Sequence, residues 1–319
     1  MKDKILVTGA AGFIGFHLVE SLIKDNFNIY GIDNINDYYD VKLKNDRINI
    51  LKQYPNFNFK VVDISDFKSI SNIFEDFKPN KVVNLAAQAG VRYSIDNPFA
   101  YLNSNMVGFL NIIELCRKKN ISGLIYASSS SVYGGNRKIP FSTIDRVDKP
   151  LSLYAASKRS NELIAYSYSN LFNLHTTGLR FFTVYGPWGR PDMAYYKFAN
   201  KISLGEPIDV YNNGNMKRDF TYIDDIISGI RSSIDKNYQC EVFNLGNNKS
   251  ENLMDIVNYI QSYIGKEADI NYMPMQPGDV KETFAEISKS IEMLDYKPTT
   301  NAKVGMRKFI DWYKQYNIS

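Results

Sequence analysis

Short apolar runs alternate with longer amphipathic stretches over the first 180 residues of the chain. The apolar runs have the length of strands, which we predict at Lys4–Thr8, Asn28–Ile32, Phe57–Val62, Lys81–Leu85, Leu124–Ala127 and Thr176–Phe181. The amphipathic stretches predict helices that end near Lys24 and that span Phe67–Phe77, Phe99–Lys119 and Leu153–Phe172. Strands and helices that alternate in this order predict an α/β fold with a doubly wound parallel sheet.

The pattern becomes less regular after residue 180 but keeps both periodicities. It predicts helices at Ala194–Leu204, at Leu253–Ile264 and around Trp312, and strands at Ile208–Tyr211 and Glu241–Leu245. No linker-like segment or internal repeat separates the two halves. We therefore predict a first domain over 1–180, with returning segments near 219–245, and a smaller C-terminal α/β lobe over 181–319.

Composition places the chain among ordinary globular proteins, with 44% hydrophobic and 23% charged residues in 319. The net charge of +4 is modest and no Lys/Arg block stands out, so nucleic acid and membrane surfaces are not expected partners. No apolar run approaches the roughly 18 residues of a transmembrane helix, and the amino terminus leads into a strand rather than a signal peptide. Cys116 and Cys240 are expected to be buried thiols, no metal site is predicted, and a cytoplasmic location is expected.

A glycine-rich turn follows the first strand and reads Gly9-Ala-Ala-Gly12-Phe13-Ile14-Gly15. The second strand ends at Asp33, at the distance where a dinucleotide-binding turn has its acidic residue. The glycines let the backbone approach a pyrophosphate at the helix N-terminus. Asp33 can accept hydrogen bonds from ribose hydroxyls and would repel a 2′-phosphate, so the predicted cofactor is NAD rather than NADP.

Two further strand ends carry residues suited to a cofactor. Asp63 and Ile64 can contact adenine, although Asp63 can equally belong to the N-terminal cap of the next helix. The small residues of the segment Ala86–Gly90 let a cofactor lie against the backbone. Ligands of such sheets bind beyond the carboxyl ends of the strands, where all these residues fall.

The stretch Ser128–Ser131 follows the fifth strand, and Tyr154 and Lys158 lie four residues apart on the next helix. Residues at this spacing share a helix face. A nearby ammonium favours the phenolate of a tyrosine, so Tyr154 can act as a base while serine hydroxyls hold the substrate oxygen. Chance pairs also occur, since Tyr38 and Lys42 have the same spacing, and a helix face that merely carries both residues is the alternative.

Together, the glycine turn, the serine cluster before Val-Tyr-Gly and the Tyr-x-x-x-Lys pair resemble the extended short-chain dehydrogenase/reductases that act on nucleotide sugars. The resemblance covers essentially the whole chain and implies a Rossmann-type sheet with a substrate-binding lobe. It implies that Tyr154 is the catalytic base, that Lys158 tunes it and binds the nicotinamide ribose, and that Ser129 holds the sugar hydroxyl. The predicted cofactor-binding residues are Gly9, Gly12, Phe13, Ile14, Gly15, Asp33, Asn34, Asp63, Ile64, Leu85, Ala86, Ala87, Gln88, Tyr154 and Lys158.

Four segments are similar to those of UDP-glucuronate 4-epimerases, namely Asn34–Asp40, Gln88–Ser94, Pro187–Met193 and Lys217–Tyr222. The predicted substrate-binding residues are Arg92, Ser129, Ser130, Ser131, Thr183, Arg190, Arg218 and Asp279. The resemblance implies that Arg218 contacts the diphosphate and that Asp279 contacts the uridine ribose. The alternatives are a surface ion pair of Arg218 with Asp219 or Asp224, and a turn role for Asp279 in the sequence Pro-Gly-Asp.

Positions near the predicted base separate the activities within this family. Related 4,6-dehydratases have Asp and Glu where this chain has Ser130 and Ser131, and related decarboxylases have Glu at the position of Ser131. Many relatives have Asn in place of Thr183, and hydroxyl donors suit a sugar carboxylate, which only accepts hydrogen bonds. With Arg190, these hydroxyls can hold the carboxylate out of the alignment that releases carbon dioxide; the alternatives are polar loop residues.

The sequence therefore favours an NAD-dependent isomerase that converts UDP-glucuronate to UDP-galacturonate through a 4-keto intermediate. Open alternatives are a 4-epimerase of uncharged UDP-sugars, a UDP-glucuronate decarboxylase and a non-catalytic nucleotide-sensing protein. The resemblance further implies a homodimer, paired through the helices Phe99–Lys119 and Leu153–Phe172.

Overall fold

The computed structural model describes residues 3–276 and 279–317. Its strands are β1 (Lys4–Thr8), β2 (Asn28–Asp33), β3 (Phe57–Val61), β4 (Lys81–Asn84), β5 (Gly123–Ser129), β6 (Thr176–Phe181), β7 (Thr183–Tyr185), β8 (Ile208–Tyr211), β9 (Lys217–Arg218), β10 (Phe220–Tyr222), β11 (Cys240–Leu245), β12 (Glu251–Asn252) and β13 (Ile270–Met273). Its α-helices are α1 (Phe13–Lys24), α2 (Val41–Leu51), α3 (Phe67–Phe77), α4 (Tyr93–Asp96), α5 (Pro98–Tyr101), α6 (Phe109–Lys118), α7 (Leu153–Phe172), α8 (Ala194–Leu204), α9 (Ile223–Lys236), α10 (Leu253–Ile264), α11 (Ser288–Leu294) and α12 (Ala302–Asn317).

Seven parallel strands form the central sheet in the order β11-β6-β5-β4-β1-β2-β3. The chain moves outward from β1 in one direction through β2 and β3, and then returns to the other side of β1 at β4. A crevice forms at the carboxyl ends of β1 and β4, where the direction changes. The predicted α/β fold with a doubly wound parallel sheet is confirmed.

Both faces of the sheet are covered, which explains why its strands read as continuous apolar runs. Successive side chains of β1 point to opposite faces, and Ile5 and Val7 belong to one apolar cluster whereas Leu6 belongs to the other. All three are fully buried. The two clusters fix β1 in the middle of the sheet and thereby fix the position of the glycine turn that follows it.

The predicted helix over Phe99–Lys119 is confirmed as one continuous helical stretch from Pro98 to Lys118, but its turns at Leu102–Gly108 form a π-helix between α5 and α6. Asn105 lies in this π-helix, and its side chain bonds to both the backbone N–H and the carbonyl oxygen of Gln88 at 2.8 and 3.0 Å. It also donates to Ser157 Oγ at 3.0 Å. The wider turn thus ties the helix to the segment after β4 and to α7, as π-helices at functional sites often do.

The C-terminal part contains three small two-stranded sheets, formed by β7 with β10, β8 with β13, and β9 with β12. Its helices α8, α10 and α12 pack together through fully buried residues such as Ile202, Ile260 and Phe309. One segment returns to the central sheet, where β11 forms the edge beside β6. The boundary between two domains stays a prediction.

Both cysteines are free thiols, but only Cys116 is buried, so the expectation for Cys240, which is partly exposed, is wrong. Within the described ranges, no helix has the length and apolarity needed to cross a membrane.

The imidazole of His17 in α1 provides a test of how this fold depends on pH. Its Nε2 lies 2.9 Å from the carbonyl oxygen of Pro187, and burial lowers its pKa from 6.5 to about 4. Between pH 6.5 and 4 the unfolded chain therefore binds a proton that the folded protein does not, so His17 reduces the free energy of unfolding as pH falls, by at most about 1.4 kcal/mol per pH unit.

We expect that this loss is absent in His17→Gln, which keeps an N–H donor for Pro187 but does not titrate. Urea denaturation of both proteins at several pH values between 7 and 4 measures it. Curves that fall in parallel for the two proteins would show that His17 does not contribute.

Candidate active site

Every site residue predicted from the sequence lines one cleft of about 1020 Å³ at the carboxyl ends of the sheet strands. The cofactor set lies at the ends of β1 to β4 and at the start of α7, and the substrate set lies between the ends of β4, β5 and β7 and the C-terminal part. The structure thus brings all of them together. Their individual roles remain predictions.

The glycine turn has the geometry that a bound diphosphate requires. Gly9 has φ +72°, and a Cβ there would lie 2.7 Å from the backbone nitrogen of Ala86. A Cβ at Gly15 would collide with the carbonyl oxygen of Gly9. Helix α1 begins directly after Gly12 with no side-chain cap and no acidic residue in its first turn, so its N-terminus is suited to an anion.

The acidic residue after β2 is held by the same turn. Asp33 accepts hydrogen bonds from the backbone N–H groups of Ile35 at 2.9 Å and Ala11 at 3.2 Å. Burial raises the pKa of its carboxyl, against the effect of these bonds and of the nearby Lys44 and Arg47. A carboxylate at the edge of the cleft, with acceptor sites beyond those two bonds, fits the ribose hydroxyls of NAD.

Arg47 of α2 is a member of this region that sequence reasoning missed. It is fully buried, donates to the carbonyl oxygen of Ala11 at 2.8 Å and reaches that of Trp188 at 2.6 Å. The guanidinium therefore joins the glycine turn to the segment after β7. Its charge also adds to the positive potential that favours a diphosphate.

The alternative role of Asp63 as a helix cap is wrong, because Asp66 caps α3 by accepting from Ser69 N–H at 3.2 Å. Asp63 instead accepts from the backbone and hydroxyl of Ser65 at 2.8 and 2.7 Å, and from Asn34 Nδ2 at 2.8 Å. It thus holds the segments after β2 and β3 together beside the adenosine end of the predicted cofactor site.

Helix α7 presents Tyr154 and Lys158 to the cleft. Ser152 caps this helix by accepting from Ala155 N–H at 3.1 Å. Lys158 is 3% exposed, and its ammonium donates to the carbonyl oxygen of Ala127 in β5 at 2.9 Å. By contrast, Tyr38 precedes the start of α2, so the other pair at this spacing has no common helix face.

Burial is the main influence on the pKa values of both residues of the pair. Burial lowers the pKa of Lys158 to about 8. Desolvation by the surrounding protein raises the pKa of Tyr154, and the opposing effects are a hydrogen bond with Ser129 and the charge of Arg190. The effect of Lys158 on Tyr154 stays a prediction. The positive charge of a nicotinamide ring would lower the pKa of Tyr154.

The four serines at the end of β5 and directly after it have two different environments. Ser128 donates to Glu162 Oε1 at 2.6 Å and belongs to the protein interior. Ser129 caps a short 3₁₀ turn, in which its Oγ accepts from Ser131 N–H at 3.1 Å and lies 3.1 Å from Ser131 Oγ. The hydroxyls of Ser129, Ser130 and Ser131 lie in the wall of the cleft near Tyr154.

A buried ion pair lies directly beneath these serines. Glu162 of α7 and Arg180 of β6 form two hydrogen bonds at 2.8 and 2.9 Å, and their side chains are 1% and 3% exposed. Arg180 also donates to Tyr133 OH at 3.0 Å, and Tyr133 in turn donates to Asn244 of β11 at 2.6 Å. Sequence reasoning missed this network, although Glu162 follows Lys158 by one helical turn.

At the other end of the cleft, Arg92 and Asp279 form an ion pair of 3.0 Å. Arg218 donates to the carbonyl oxygens of Lys217 and Lys281 at 2.8 and 3.2 Å. The alternative ion pairs of Arg218 are therefore not formed within the described part of the chain. The turn role suggested for Asp279 involves residues 277 and 278, which lie outside the described residues.

Arg190 has a carboxylate partner, which sequence reasoning also missed. Its Nε and Nη2 lie 2.9 and 2.5 Å from the two carboxylate oxygens of Asp192. Tyr38, from the segment after β2, donates to the same carboxylate at 3.3 Å. All three side chains line the cleft.

A parallel sheet with a glycine turn at its switch point, and a Tyr–Lys–Ser set at the next strand ends, defines a dinucleotide-dependent enzyme. The chain belongs to the NAD dependent epimerase/dehydratase family, whose model matches residues 5–246. Its cofactor is NAD, and the resemblance inferred from the motifs is confirmed.

Three known proteins illustrate the similarity. Protein CapI of Staphylococcus aureus is 53% identical, with 98% of this chain and 99% of CapI aligned. A probable UDP-glucuronate 4-epimerase of Rhizobium meliloti (strain 1021) is 41% identical, with 98% and 97% aligned. The crystal structure of a UDP-glucuronic acid 4-epimerase from Bacillus cereus, in complex with UDP-glucuronic acid and NAD, matches with a TM-score of 0.92 and 35% identity over 98% of this chain and 99% of that one.

The buried pair predicts the effect of removing one partner. Glu162→Gln leaves the guanidinium of Arg180 buried without its counter-charge, so we expect the free energy of unfolding to fall by about 3–5 kcal/mol. Urea denaturation measures the change. The control is the double variant Glu162→Leu/Arg180→Met, in which both charges are replaced by apolar groups and most of the loss should be recovered.

If Glu162→Gln lowers the free energy of unfolding by less than about 1 kcal/mol, the ion pair contributes no more than an exposed one. It would then not be the interaction that holds α7 against the sheet.

Proposed function

We propose that the protein converts UDP-glucuronate into UDP-galacturonate by inverting C4 of the sugar. One observation carries this proposal. The cleft wall around Tyr154 presents hydroxyls of Ser130, Ser131 and Thr183 together with the guanidinium of Arg190, and these are donors that a sugar carboxylate accepts from. The names of the relatives and the ligands of the Bacillus cereus structure support the same substrate.

The reacting groups follow from the positions of the side chains. Tyr154 takes the proton of the sugar 4-hydroxyl and later returns it, while the Ser129 hydroxyl holds the sugar oxygen. Lys158, fixed by Ala127, keeps its ammonium beneath the same region. NAD, held by the glycine turn and Asp33, supplies a hydride acceptor and donor when it is bound.

A uronic acid requires protection during this reaction, because a 4-keto uronate is a β-keto acid that loses carbon dioxide when the carboxylate bond aligns with the carbonyl. We propose that Ser130, Ser131, Thr183 and Arg190 hold the carboxylate out of this alignment. Each neutral donor contributes only about 1 kcal/mol net, but an unpaired buried carboxylate costs several. The set is therefore expected to act together.

The nucleotide end of the substrate is assigned to the opposite part of the cleft. Arg218 is proposed to bind the diphosphate, because it lines this part of the cleft and, within the described residues, donates to the protein only through Nη1. Arg92 and Asp279 are proposed to contact the uridine. Their ion pair joins the segment after β4 to the C-terminal part, which is consistent with a first domain that binds NAD and a lobe over 181–319 that binds the UDP-sugar.

A homodimer is proposed on the basis of exposed apolar side chains on two adjacent helical segments. Leu102, Val107 and Leu110 on one segment are 41–45% exposed, and Leu163 and Tyr166 on α7 are 52% and 65% exposed. A face of this kind is typical of an interface. A cytoplasmic location is proposed with it.

Product analysis tests the proposed function. We expect UDP-galacturonate from UDP-glucuronate, and much lower turnover of UDP-glucose and UDP-N-acetylglucosamine, which lack the carboxylate. Tyr154→Phe should lower turnover about 10²–10⁴-fold, because the proton acceptor is lost. Its NAD binding should stay unchanged, because only the phenolic oxygen is removed.

Each alternative has its own outcome. A UDP-pentose product would identify a decarboxylase. Preferred turnover of UDP-glucose or UDP-N-acetylglucosamine would identify a 4-epimerase of uncharged UDP-sugars. Binding of UDP-sugars without turnover would indicate a nucleotide sensor.

A further inference from the structure

We propose that Asp192 is a specificity-determining residue. By neutralising the charge of Arg190, it lowers the affinity of the cleft for the substrate carboxylate. This inference rests on the proposed function. It concerns a residue that is not itself a donor to the sugar but that sets the charge of one.

The guanidinium of Arg190 pairs with Asp192 on one edge and has further N–H groups that could bind a ligand. One edge of Arg190, formed by Nε and one N–H of Nη2, is occupied by Asp192 at 2.9 and 2.5 Å. Of the five N–H groups of an arginine, three remain. Within the part of the chain that the structure describes, Arg190 Nη1 has no hydrogen-bond partner, and the residue lines the cleft.

Asp192 is held firmly enough to keep this pairing. Its side chain is 21% exposed and that of Arg190 is 23% exposed, so the pair is only partly screened by water. Tyr38 donates to Oδ2 of the same carboxylate at 3.3 Å. Although burial opposes it, the charge of Arg190 lowers the pKa of Asp192, so the carboxylate is ionised at neutral pH.

A carboxylate already bound to a guanidinium competes with any second carboxylate that approaches it. The substrate therefore meets a pair without net charge and gains hydrogen bonds, but not the full attraction of a free cation in a partly dry cleft. Removing the charge of Asp192 leaves Arg190 uncompensated in the free enzyme. The substrate carboxylate would relieve that cost on binding and would bind more tightly.

Weak binding of the carboxylate is useful in a 4-epimerase. The oxidised sugar has to present its other face before the hydrogen returns to C4, so its contacts must break and re-form within one turnover. An interaction that holds the starting orientation too strongly lowers KM without raising kcat. Asp192 thus favours turnover over affinity.

The test compares UDP-glucuronate with UDP-glucose, which differ only in carboxylate against hydroxymethyl at C5. Calorimetric Kd values are measured on the NAD-loaded full chain in a Tyr154→Phe background, where turnover does not interfere. We expect Asp192→Asn to lower the Kd of UDP-glucuronate about tenfold, which is about 1.4 kcal/mol, and to leave that of UDP-glucose within about twofold. With Tyr154 restored, kcat for UDP-glucuronate should fall.

Tyr38→Phe is the matched control, because it removes one hydrogen bond to Asp192 and leaves the charge of the pair unchanged; the ratio of the two Kd values should stay within about twofold. If Asp192→Asn does not bind UDP-glucose normally, Asp192→Ser, which also removes the charge, provides the ratio. An unchanged ratio, or a higher Kd for UDP-glucuronate, overturns the inference. If the parent enzyme does not epimerise UDP-glucuronate, the proposed function has failed; if it does and the ratio is unchanged, only this inference has failed.

Discussion

The buried ion pair between Glu162 and Arg180 is the interaction on which the rest of the site depends. Tyr154, Lys158 and Glu162 follow one another at intervals of four residues and form a stripe along one side of α7. Glu162 attaches the inner end of this stripe to β5 through Ser128 and to β6 through Arg180. Because both charges are removed from water, Arg180 requires Glu162 as its counter-charge, and Glu162 also accepts from Arg159 at 2.9 Å. This requirement fixes the distance from the catalytic helix to the sheet.

With α7 held in this way, the parallel sheet determines which groups meet. Its strands end at one edge, so the glycine turn, Asp33 and the serines after β5 come together although they are far apart in sequence. Contacts across the cleft, from Arg92 to Asp279, from Tyr38 to Asp192 and from Arg47 to Trp188, then connect the cofactor side to the C-terminal part. These contacts hold the side chains proposed to bind substrate in a fixed position relative to the proposed NAD site.

Much of this arrangement was predictable from the sequence, because apolar periodicity and glycine spacing are local signals. The bounds of α7 at Leu153–Phe172 and of α3 at Phe67–Phe77 agree with the prediction to the residue. Most features that were not predicted depend on partners distant in sequence. The π-helix contains Asn105, which bonds to Gln88 and Ser157, and Tyr38 bonds to Asp192 from 154 residues away. The pairing of Arg190 with Asp192, only two residues away, is a local contact that sequence reasoning missed. The sequence did not indicate the desolvation that raises the pKa of Tyr154, because burial cannot be read from a spacing of four residues.

The central claim is that the hydrogen at C4 leaves and returns within one closed site. It is tested most directly with UDP-glucuronate that carries deuterium at C4, converted by the purified protein in ordinary water. The account predicts that the UDP-galacturonate formed retains the deuterium at C4. Replacement of the label by solvent hydrogen would contradict it, because the inversion would then proceed by proton exchange with water.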